Sequence, residues 1–221
     1  MKIIDAVIDA LYPRRCASCQ EITIDGGVLC IACAEKLERV KTPVCIECGN
    51  FVKECECDTF IYHFDGIVAP FKNKGVTKNM VYNFKFHKDY SAVDYIVENM
   101  AKSIAESYDD VNFDFISFVP KFKKEFNQCK VLSKRLSRIL DIPVKSNSLI
   151  KIKENHTQHN LSLNDRFGNV QDAYRACENL KGQTVLLVDD IKTTGATLNE
   201  CAKELKFSGA KKVYCVTALI R

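Results

Sequence analysis

Apolar and polar positions follow two different patterns along the chain, and the change comes near residue 60. Beyond that point, short apolar runs typical of strands alternate with amphipathic stretches of helical period. Strands are predicted over residues 66–71, 113–119, 142–144, 185–188 and 213–220, and helices over residues 90–107, 131–140 and 196–207. This alternation predicts an α/β fold in which a mostly parallel sheet carries helices on both faces.

The first residues predict one short helix. Its apolar positions share one face and end before Pro13; they are Ile3, Ile4, Val7, Ile8 and Leu11. Asp5 and Asp9 interrupt this apolar run and no small-residue cleavage site follows, so we interpret it as a packing helix rather than a signal peptide. No apolar run reaches the roughly 18 residues that a membrane-spanning helix needs. We therefore expect a cytoplasmic protein with no membrane span.

Cysteine usage sets the N-terminal segment apart. The 221-residue chain has 12 cysteines, and eight of them fall before residue 58 in closely spaced pairs. Because a C-x2-C turn directs two sulfurs at one tetrahedral ion, two such turns can close a structural zinc site. The candidate metal ligands are Cys16, Cys19, Cys30, Cys33, Cys45, Cys48, Cys55 and Cys57.

These eight thiols predict one or two structural Zn²⁺ sites, which would fold a segment too small to have its own core. Sequential pairing, with the first four cysteines in one site and the last four in the other, is the simplest arrangement, and an interleaved pairing also fits the spacing. A redox or iron–sulfur role is the less favoured alternative, because fully paired ligands leave no open position. The predicted domains are a helix and zinc-ribbon region over residues 1–58 and a second domain over residues 59–221.

The other four cysteines are scattered singly among apolar residues. Disulfides are rare in the cytoplasm, so we expect these side chains to be reduced, small and buried. They are Cys129, Cys177, Cys201 and Cys215.

The most informative motif follows the predicted strand over residues 185–188. Two acids end the strand, and a TTGAT run leads into the next helix; the residues are Asp189, Asp190, Thr193, Thr194, Gly195, Ala196 and Thr197. Free N–H groups at a helix N-terminus, with threonine hydroxyls beside them, suit a phosphate. Two carboxylates suit sugar hydroxyls. Simple helix capping is the alternative, but it does not explain the whole motif, which predicts a site for ribose 5-phosphate.

A basic stretch with interleaved aromatic residues occupies residues 121–138. The stretch contains seven cations and one acid, Glu125, and Phe122 and Phe126 lie among the cations in sequence. The cations are Lys121, Lys123, Lys124, Lys130, Lys134, Arg135 and Arg138. Basic groups near stackable rings suit single-stranded DNA. A solvated helix face that starts at a phosphate-binding loop explains the stretch equally well. The formal net charge of +4 is weak evidence for a nucleic-acid partner, because two four-thiolate zinc sites would bring the net charge near zero.

The phosphate motif resembles the signature of type I phosphoribosyltransferases, which bind phosphoribosyl pyrophosphate (PRPP). Residues 126–128 (FNQ), residues 156–169 (HTQHNLSLNDRFGN) and the cysteine-rich segment narrow the resemblance to the bacterial late-competence ComF family. In that family a double zinc ribbon precedes a type I phosphoribosyltransferase domain. The resemblance is weakest between residues 58 and 112, where a strand precedes a lysine-containing helix and Phe86 replaces the family's usual tyrosine.

The resemblance implies a role for each residue of the motif. Asp189 and Asp190 would bind the ribose hydroxyls and are the candidate catalytic residues. Thr193, Thr194, Gly195, Ala196 and Thr197 would hold the 5-phosphate. Lys121 would lie in a pyrophosphate loop, and Mg²⁺ would accompany the pyrophosphate.

Two departures from the family pattern bear on this site. Lys124-Glu125 replaces the usual Arg-Gly before FNQ, which puts the pyrophosphate contact of that loop in doubt. Lys192 replaces an uncharged residue before the TTG motif, where we expect an exposed loop.

The family implies natural transformation as the function, through the handling of incoming single-stranded DNA in the cytoplasm together with competence and recombination proteins. The first alternative is an enzyme that transfers ribose 5-phosphate from PRPP to a nucleobase or amine, and the second is a PRPP or nucleotide sensor without turnover. Whether the protein is an enzyme stays open, because no residue is an obvious general base. Residues 156–169 are expected to form a loop near the site, with Gln158 and Arg166 as candidate contacts and His156 and His159 on the surface.

Overall fold

Five parallel strands form the sheet that the apolar runs predict. In the computed structural model they are β1 (Gly66–Val68), β2 (Phe71–Lys72), β3 (Phe115–Phe118), β6 (Thr184–Lys192) and β7 (Lys212–Ile220). β7 pairs with β1 and β2 on one side and with β6 on the other, and β3 pairs with β6. The resulting order, β1-β7-β6-β3, brings the carboxyl ends of the strands to one edge, where ligands of such sheets bind.

The structure describes residues 13–23, 26–41, 44–55, 57, 61–122, 125–153 and 170–221. Several sequence predictions lie outside these residues. They are the N-terminal helix, Lys123 and Lys124 of the basic stretch, and the segment that contains His156, Gln158, His159 and Arg166.

Helices cover both faces of the sheet, as predicted. The helices are α1 (Ile31–Glu35), α2 (Gly75–His87), α3 (Val93–Ser107), α4 (Gln128–Leu140) and α5 (Ala196–Phe207). Leu186 and Val188 of β6 pack in a core with α2, α3 and α4, whereas Val185 and Leu187 pack against α5. A two-stranded antiparallel sheet, formed by β4 (Leu149–Lys151) and β5 (Tyr174–Ala176), packs with α5 on the second face.

Three of the differences between the predicted and the observed elements have a structural cause. The strand predicted over residues 66–71 divides into β1 and β2 at Pro70, because proline has no N–H group for a ladder. The strand predicted over residues 142–144 is reduced to one parallel bridge between Val144 and Ile116. β6 continues beyond Val188 to Lys192, because it pairs with β7 as far as Ile220.

The cysteine-rich head, residues 13–57, covers the free edge of the sheet. β1 and β2 form that edge, and unpaired edge strands invite association with other chains. Ile67 N donates to Ile46 O over 2.8 Å, and Lys72 N donates to Glu38 O over 2.8 Å. Backbone groups of the head thus accept hydrogen bonds from both strands of this edge.

The second cysteine turn fits against the sheet at Gly49. This glycine has a φ of +72°, and a Cβ atom there would stand 2.6 Å from Ile220 Cδ1 and 3.0 Å from Ile67 Cγ2. The neighbouring Cys48 is buried. Both the left-handed backbone and the lack of space therefore require glycine at this position.

We expect Gly49→Ala to lower the free energy of unfolding by about 2–4 kcal/mol, since it adds overpacking to backbone strain. Gly182→Ala is the matched control, because Gly182 has a φ of +79° but a Cβ atom there would meet nothing within 4 Å. It should cost only about 1 kcal/mol. Urea unfolding of the zinc-loaded proteins measures both losses. Equal losses would contradict the close packing of the head on the sheet.

Candidate functional site

The two aspartates of the motif lie inside β6, near the carboxyl edge of the sheet. Asp189 and Asp190 are both buried, with 8% and 7% of their surfaces exposed. Asp189 Oδ1 accepts hydrogen bonds from Cys129 Sγ at 3.2 Å and from the backbone N–H of Asp190 at 2.9 Å. Asp190 Oδ2 lies 3.0 Å from Lys85 Nζ. The two acids therefore have different partners, a thiol on α4 and an ammonium on α2.

Burial and mutual repulsion shape the ionisation of this cluster. Burial, with the adjacent Asp190 charge, raises the pKa of Asp189 to about 7. Burial also raises the pKa of Cys129 far above its usual value, and the two aspartates add to this effect, so Cys129 stays a thiol that can donate. Burial alone would lower the pKa of Lys85, but the charge and hydrogen bond of Asp190, together with the charge of Asp189, outweigh it and the net shift is upward. Lys85 is therefore a cation at neutral pH.

The predicted phosphate loop lies beside Asp189 around a small cavity of about 30 Å³. Gly195 adopts a φ of +81° and ends the loop, and Ala196 N donates to Thr194 Oγ1 over 3.3 Å at the start of α5. The lining residues are Asp189, Ile191, Lys192, Thr193, Thr194, Gly195, Ala196, Thr197 and Leu198. The structure thus brings one of the predicted sugar-binding carboxylates and all the predicted phosphate-binding residues together.

Tyr62 and His63, which precede β1, form hydrogen bonds with the phosphate loop and with α5. The hydroxyl of Tyr62 donates to Thr194 O over 3.5 Å, and His63 N donates to Asn199 Oδ1 over 2.6 Å. A Cβ atom on Gly195 would stand 3.2 Å from the Tyr62 ring. The absence of a side chain at Gly195 therefore leaves room for the Tyr62 ring. The sequence analysis did not identify Tyr62 as a residue of the site.

The prediction for Lys192 was wrong. We expected it on an exposed loop, but it is the last residue of β6 and only 3% of its surface is exposed. Its Nζ donates to Asn50 Oδ1 of the head over 2.9 Å. The prediction failed because the strand continues past the aspartates and turns this side chain toward the head.

Lys121 lies after β3 at the same edge of the sheet. It is half-buried, and its charge acts on Asp189, where it opposes the effect of burial on the pKa. The predicted pyrophosphate-loop lysine and the predicted sugar-binding acid are thus brought into one electrostatic neighbourhood.

Within the described residues of the basic stretch, one of the two aromatic rings, that of Phe126, packs against other rings of the protein. The Phe126 ring packs edge-on against Phe84 and Tyr90, with centroids 5.9 and 6.2 Å apart. Arg135 pairs with Asp94. The exposed cations on α4 are Lys130, Lys134 and Arg138. The Phe126 ring therefore packs against other side chains and is not available to stack on a base beside these cations.

The paired cysteines form two separate groups in the head. One contains Cys16, Cys19, Cys30 and Cys33, the other Cys45, Cys48, Cys55 and Cys57, and the sulfurs of each group lie within 4.8 Å of one another. Cys19 Sγ is 3.7 Å from Cys30 Sγ, and Cys45 Sγ is 3.7 Å from Cys57 Sγ. Tetrahedral Zn–S bonds of about 2.3 Å place sulfurs about 3.8 Å apart. The grouping is thus sequential rather than interleaved, and its dimensions fit zinc.

Thiolate character supports the same interpretation. Burial opposes ionisation of Cys16, but backbone hydrogen bonds from Cys19, Cys30 and Ser18 outweigh it and lower the pKa of Cys16 to about 6. In the second group the pKa of Cys45 is lowered in the same way, against the effect of burial. Burial and the neighbouring thiols raise the pKa of Cys33 and of Cys57. Each group therefore contains one thiol that ionises readily, and ionisation of all four requires a bound cation such as zinc.

The four unpaired cysteines differ from the prediction in two respects. Cys129, Cys201 and Cys215 are buried as expected, but Cys177 is exposed after β5, so that part of the prediction was wrong. Cys129 is also more than a small apolar side chain, because it donates to Asp189. Its position in the first turn of α4, directly after FNQ, could have indicated proximity to the strand end.

Two family models match separate parts of the chain. A double zinc ribbon domain matches residues 7–60, and a phosphoribosyl transferase domain matches residues 127–221. β1, β2, α2, α3 and β3, with Lys85, lie between these two matches. No helix within the described residues is long and apolar enough to cross a membrane.

Curated relatives extend the similarity over most of the chain. Competence protein F of Haemophilus influenzae is 26% identical over 220 residues, which cover 90% of this chain and 93% of that protein. Competence protein ComFC of Bacillus subtilis is 24% identical and covers 87% and 84%. DNA utilization protein YhgH of Escherichia coli is 34% identical over 97 residues, or 43% of each chain.

Among solved structures, the glutamine PRPP amidotransferase of B. subtilis is similar with a TM-score of 0.41 and 19% identity, over 66% of this chain and 28% of that one. The two family models, the parallel sheet with helices on both faces and the two cysteine groups agree with the sequence-based resemblance. The chain therefore combines a double zinc ribbon with a phosphoribosyltransferase domain of type I fold, and over most of its length it is similar to competence proteins of the bacterial late-competence ComF family.

Proposed function

We propose that this protein binds PRPP at the carboxyl edge of the sheet and assists natural transformation, by handling incoming single-stranded DNA in the cytoplasm. The observation that best supports PRPP binding is the cavity that Asp189 lines together with all five residues of the TTGAT loop. The names of two relatives that align over most of this chain, Competence protein F and Competence protein ComFC, support the second half of the proposal.

In the proposed complex, the loop of residues 193–197 holds the 5-phosphate through its N–H groups and hydroxyls. Asp189 and Asp190 accept hydrogen bonds from the ribose hydroxyls, which are charge-assisted and therefore strong. Lys85, which is paired with Asp190, and Lys121, whose charge acts on Asp189, face the pyrophosphate. Lys85 in particular compensates for the family's arginine that this chain lacks before FNQ.

Mg²⁺ is the proposed companion of PRPP, because the pyrophosphate oxygens are the hard ligands that this ion prefers. We assign it to the ligand rather than to a cage of protein groups. The ammonium of Lys85 already neutralises Asp190, which disfavours a second cation on that carboxylate.

The buried carboxylate pair also favours a second candidate function, the transfer of ribose 5-phosphate from PRPP to a nucleobase or amine. Fixed negative charge beside the ribose would stabilise the positive charge that develops at the anomeric carbon. Pyrophosphate release with a panel of nucleobases and amines distinguishes this enzyme from a protein that only binds PRPP.

We expect Asp190→Asn to weaken PRPP binding by at least about tenfold, because it removes a charge-assisted contact to the sugar. Calorimetric titration with Mg²⁺ and PRPP measures the affinity. Asp65→Asn is the control, since Asp65 is a carboxylate paired with Lys206 and Lys212 at the opposite edge of the sheet. Transformation should fall in an Asp189/Asp190 double variant while purine and pyrimidine growth stay normal. Normal transformation in that variant would exclude a PRPP-dependent role in competence.

PRPP affinity should depend on pH through Asp189. The pKa of Asp189 is about 7 in the free protein, so the side chain loses its charge as the pH falls through neutrality. We expect the affinity to fall roughly three- to tenfold between about pH 8 and pH 6. Asp189→Asn serves as the reference, because in this variant the side chain at position 189 cannot ionise and the pH dependence from PRPP itself remains. Identical pH profiles for the two proteins would show that Asp189 does not bind the ligand in its charged form.

Metal analysis should find two Zn²⁺ ions per chain, one in each cysteine group. Cys48→Ser should leave about one ion, because three remaining thiols hold zinc much less tightly. Cys177→Ser should leave both, since Cys177 belongs to neither group. Less than about one zinc per chain in the unaltered protein would refute the zinc assignment.

A further inference from the structure

Two large aromatic side chains are exposed on the outer face of α2. Phe86 is 60% exposed and Tyr82, one turn earlier, is 50% exposed, and their ring centroids lie 4.6 Å apart. Phe84 of the same helix is 1% exposed and belongs to the core, so α2 is anchored without the outer pair. Adjacent exposed rings of this size indicate a recognition surface.

The helix that carries these rings is basic. α2 contains Lys78, Lys85 and His87 and no acidic residue, whereas Lys88, which follows it, has its Nζ 6.0 Å from the centroid of the Phe126 ring. Lys85 Nζ lies 5.8 Å from the centroid of the Phe86 ring. The nearest acid in sequence, Asp89, accepts hydrogen bonds from the Gln20 side chain and the Ser91 backbone. The rings are therefore set among cations that would attract a polyanion.

We propose that this face of α2, the stacking face (Tyr82 and Phe86 with Lys78 and Lys85), binds single-stranded DNA. Every base offers a flat face to an exposed ring, and lysines beside the rings attract the backbone phosphates. A duplex keeps its bases stacked on one another and cannot use the rings. The choice of DNA as the polymer rests on the proposed function, whereas the stacking face itself rests on the exposed rings and the surrounding charge.

The stacking face adjoins the ribose site. The Lys85 ammonium is 3.0 Å from Asp190 Oδ2 and also lies beside the Phe86 ring. A strand that stacks on Phe86 therefore runs past the mouth of the PRPP site. This surface differs from the basic stretch of residues 121–138, whose Phe126 ring is packed against Phe84 and Tyr90.

The test uses the full zinc-loaded chain and oligothymidylate as the probe. Because the protein contains no tryptophan, Phe86→Trp introduces a single indole fluorophore, whose emission stacked bases should quench in a saturable way. Phe86→Leu and Tyr82→Ala should each weaken binding at least about fivefold, since each removes one stacking partner. Phe86→Tyr should retain the affinity.

Phe207→Ala is the matched control. Phe207 is 74% exposed on α5, and Lys203 Nζ lies 5.8 Å from its ring, so it resembles Phe86 in exposure and in its cation. It lies outside the stacking face, and its removal should leave the affinity for oligothymidylate unchanged. PRPP affinity should also be unchanged in Phe86→Leu, which shows that the variant is folded.

Three results would overturn the proposal: equal binding of oligothymidylate by Phe86→Leu and the unaltered protein, equally tight binding of a duplex, or an effect of Phe86→Leu on self-association in sedimentation without an effect on DNA. Failure of the proposed function is a separate observation, because the unaltered protein would then not bind PRPP. Quenching in Phe86→Trp together with weaker binding by Phe86→Leu and Tyr82→Ala would support the stacking face whatever the outcome with PRPP.

Discussion

Two neighbouring carboxylates buried in one strand are the constraint on which the site depends. Asp189 and Asp190 cannot both lie charged in a protein interior unless other groups compensate them. The compensation comes from Cys129 on α4 and Lys85 on α2, with Lys121 acting from a greater distance. Both helices pack on the same face of the sheet, so the placement of the two acids is tied to the core that holds these helices.

The cysteine-rich head contributes to the same region from the other side. It covers the β1–β2 edge, and its second cysteine turn reaches Lys192 through Asn50. Its first turn touches α2, where Asn83 Nδ2 donates to Ala17 O over 2.9 Å. The head is thus in contact with the helix that carries Lys85 and with the strand that carries the aspartates. Zinc would therefore stabilise more than the head alone, because these contacts depend on the folded cysteine turns.

The sequence predicted the sheet, most helices and the phosphate loop because each is encoded locally. Apolar runs mark β6 and β7, and the TTGAT run follows directly in the chain. The cysteine spacing likewise predicted two groups, although only the structure distinguished the sequential from the interleaved arrangement. Local patterns also predicted where β6 begins, but not that it continues to Lys192, since that depends on pairing with β7.

What the sequence could not predict depends on distant contacts. Lys85 lies 105 positions before Asp190 in the chain, and no spacing rule connects them. Asn50 and Lys192 are joined over an even longer separation, and so are Tyr62 and Thr194. The aromatic residues show the same limit. Phe126 has the sequence context of a stacking residue but is packed, whereas Phe86 of α2 is exposed, and only tertiary structure separates the two.

The most direct test of the central claim is a crystal structure of the zinc-loaded protein with PRPP and Mg²⁺. We expect the ribose hydroxyls within hydrogen-bond distance of Asp189 and Asp190, the 5-phosphate in the loop of residues 193–197, and Lys85 turned toward the pyrophosphate. A ligand bound elsewhere, with Asp190 still paired only to Lys85 and the loop without phosphate, would contradict the assignment of this edge as the PRPP site.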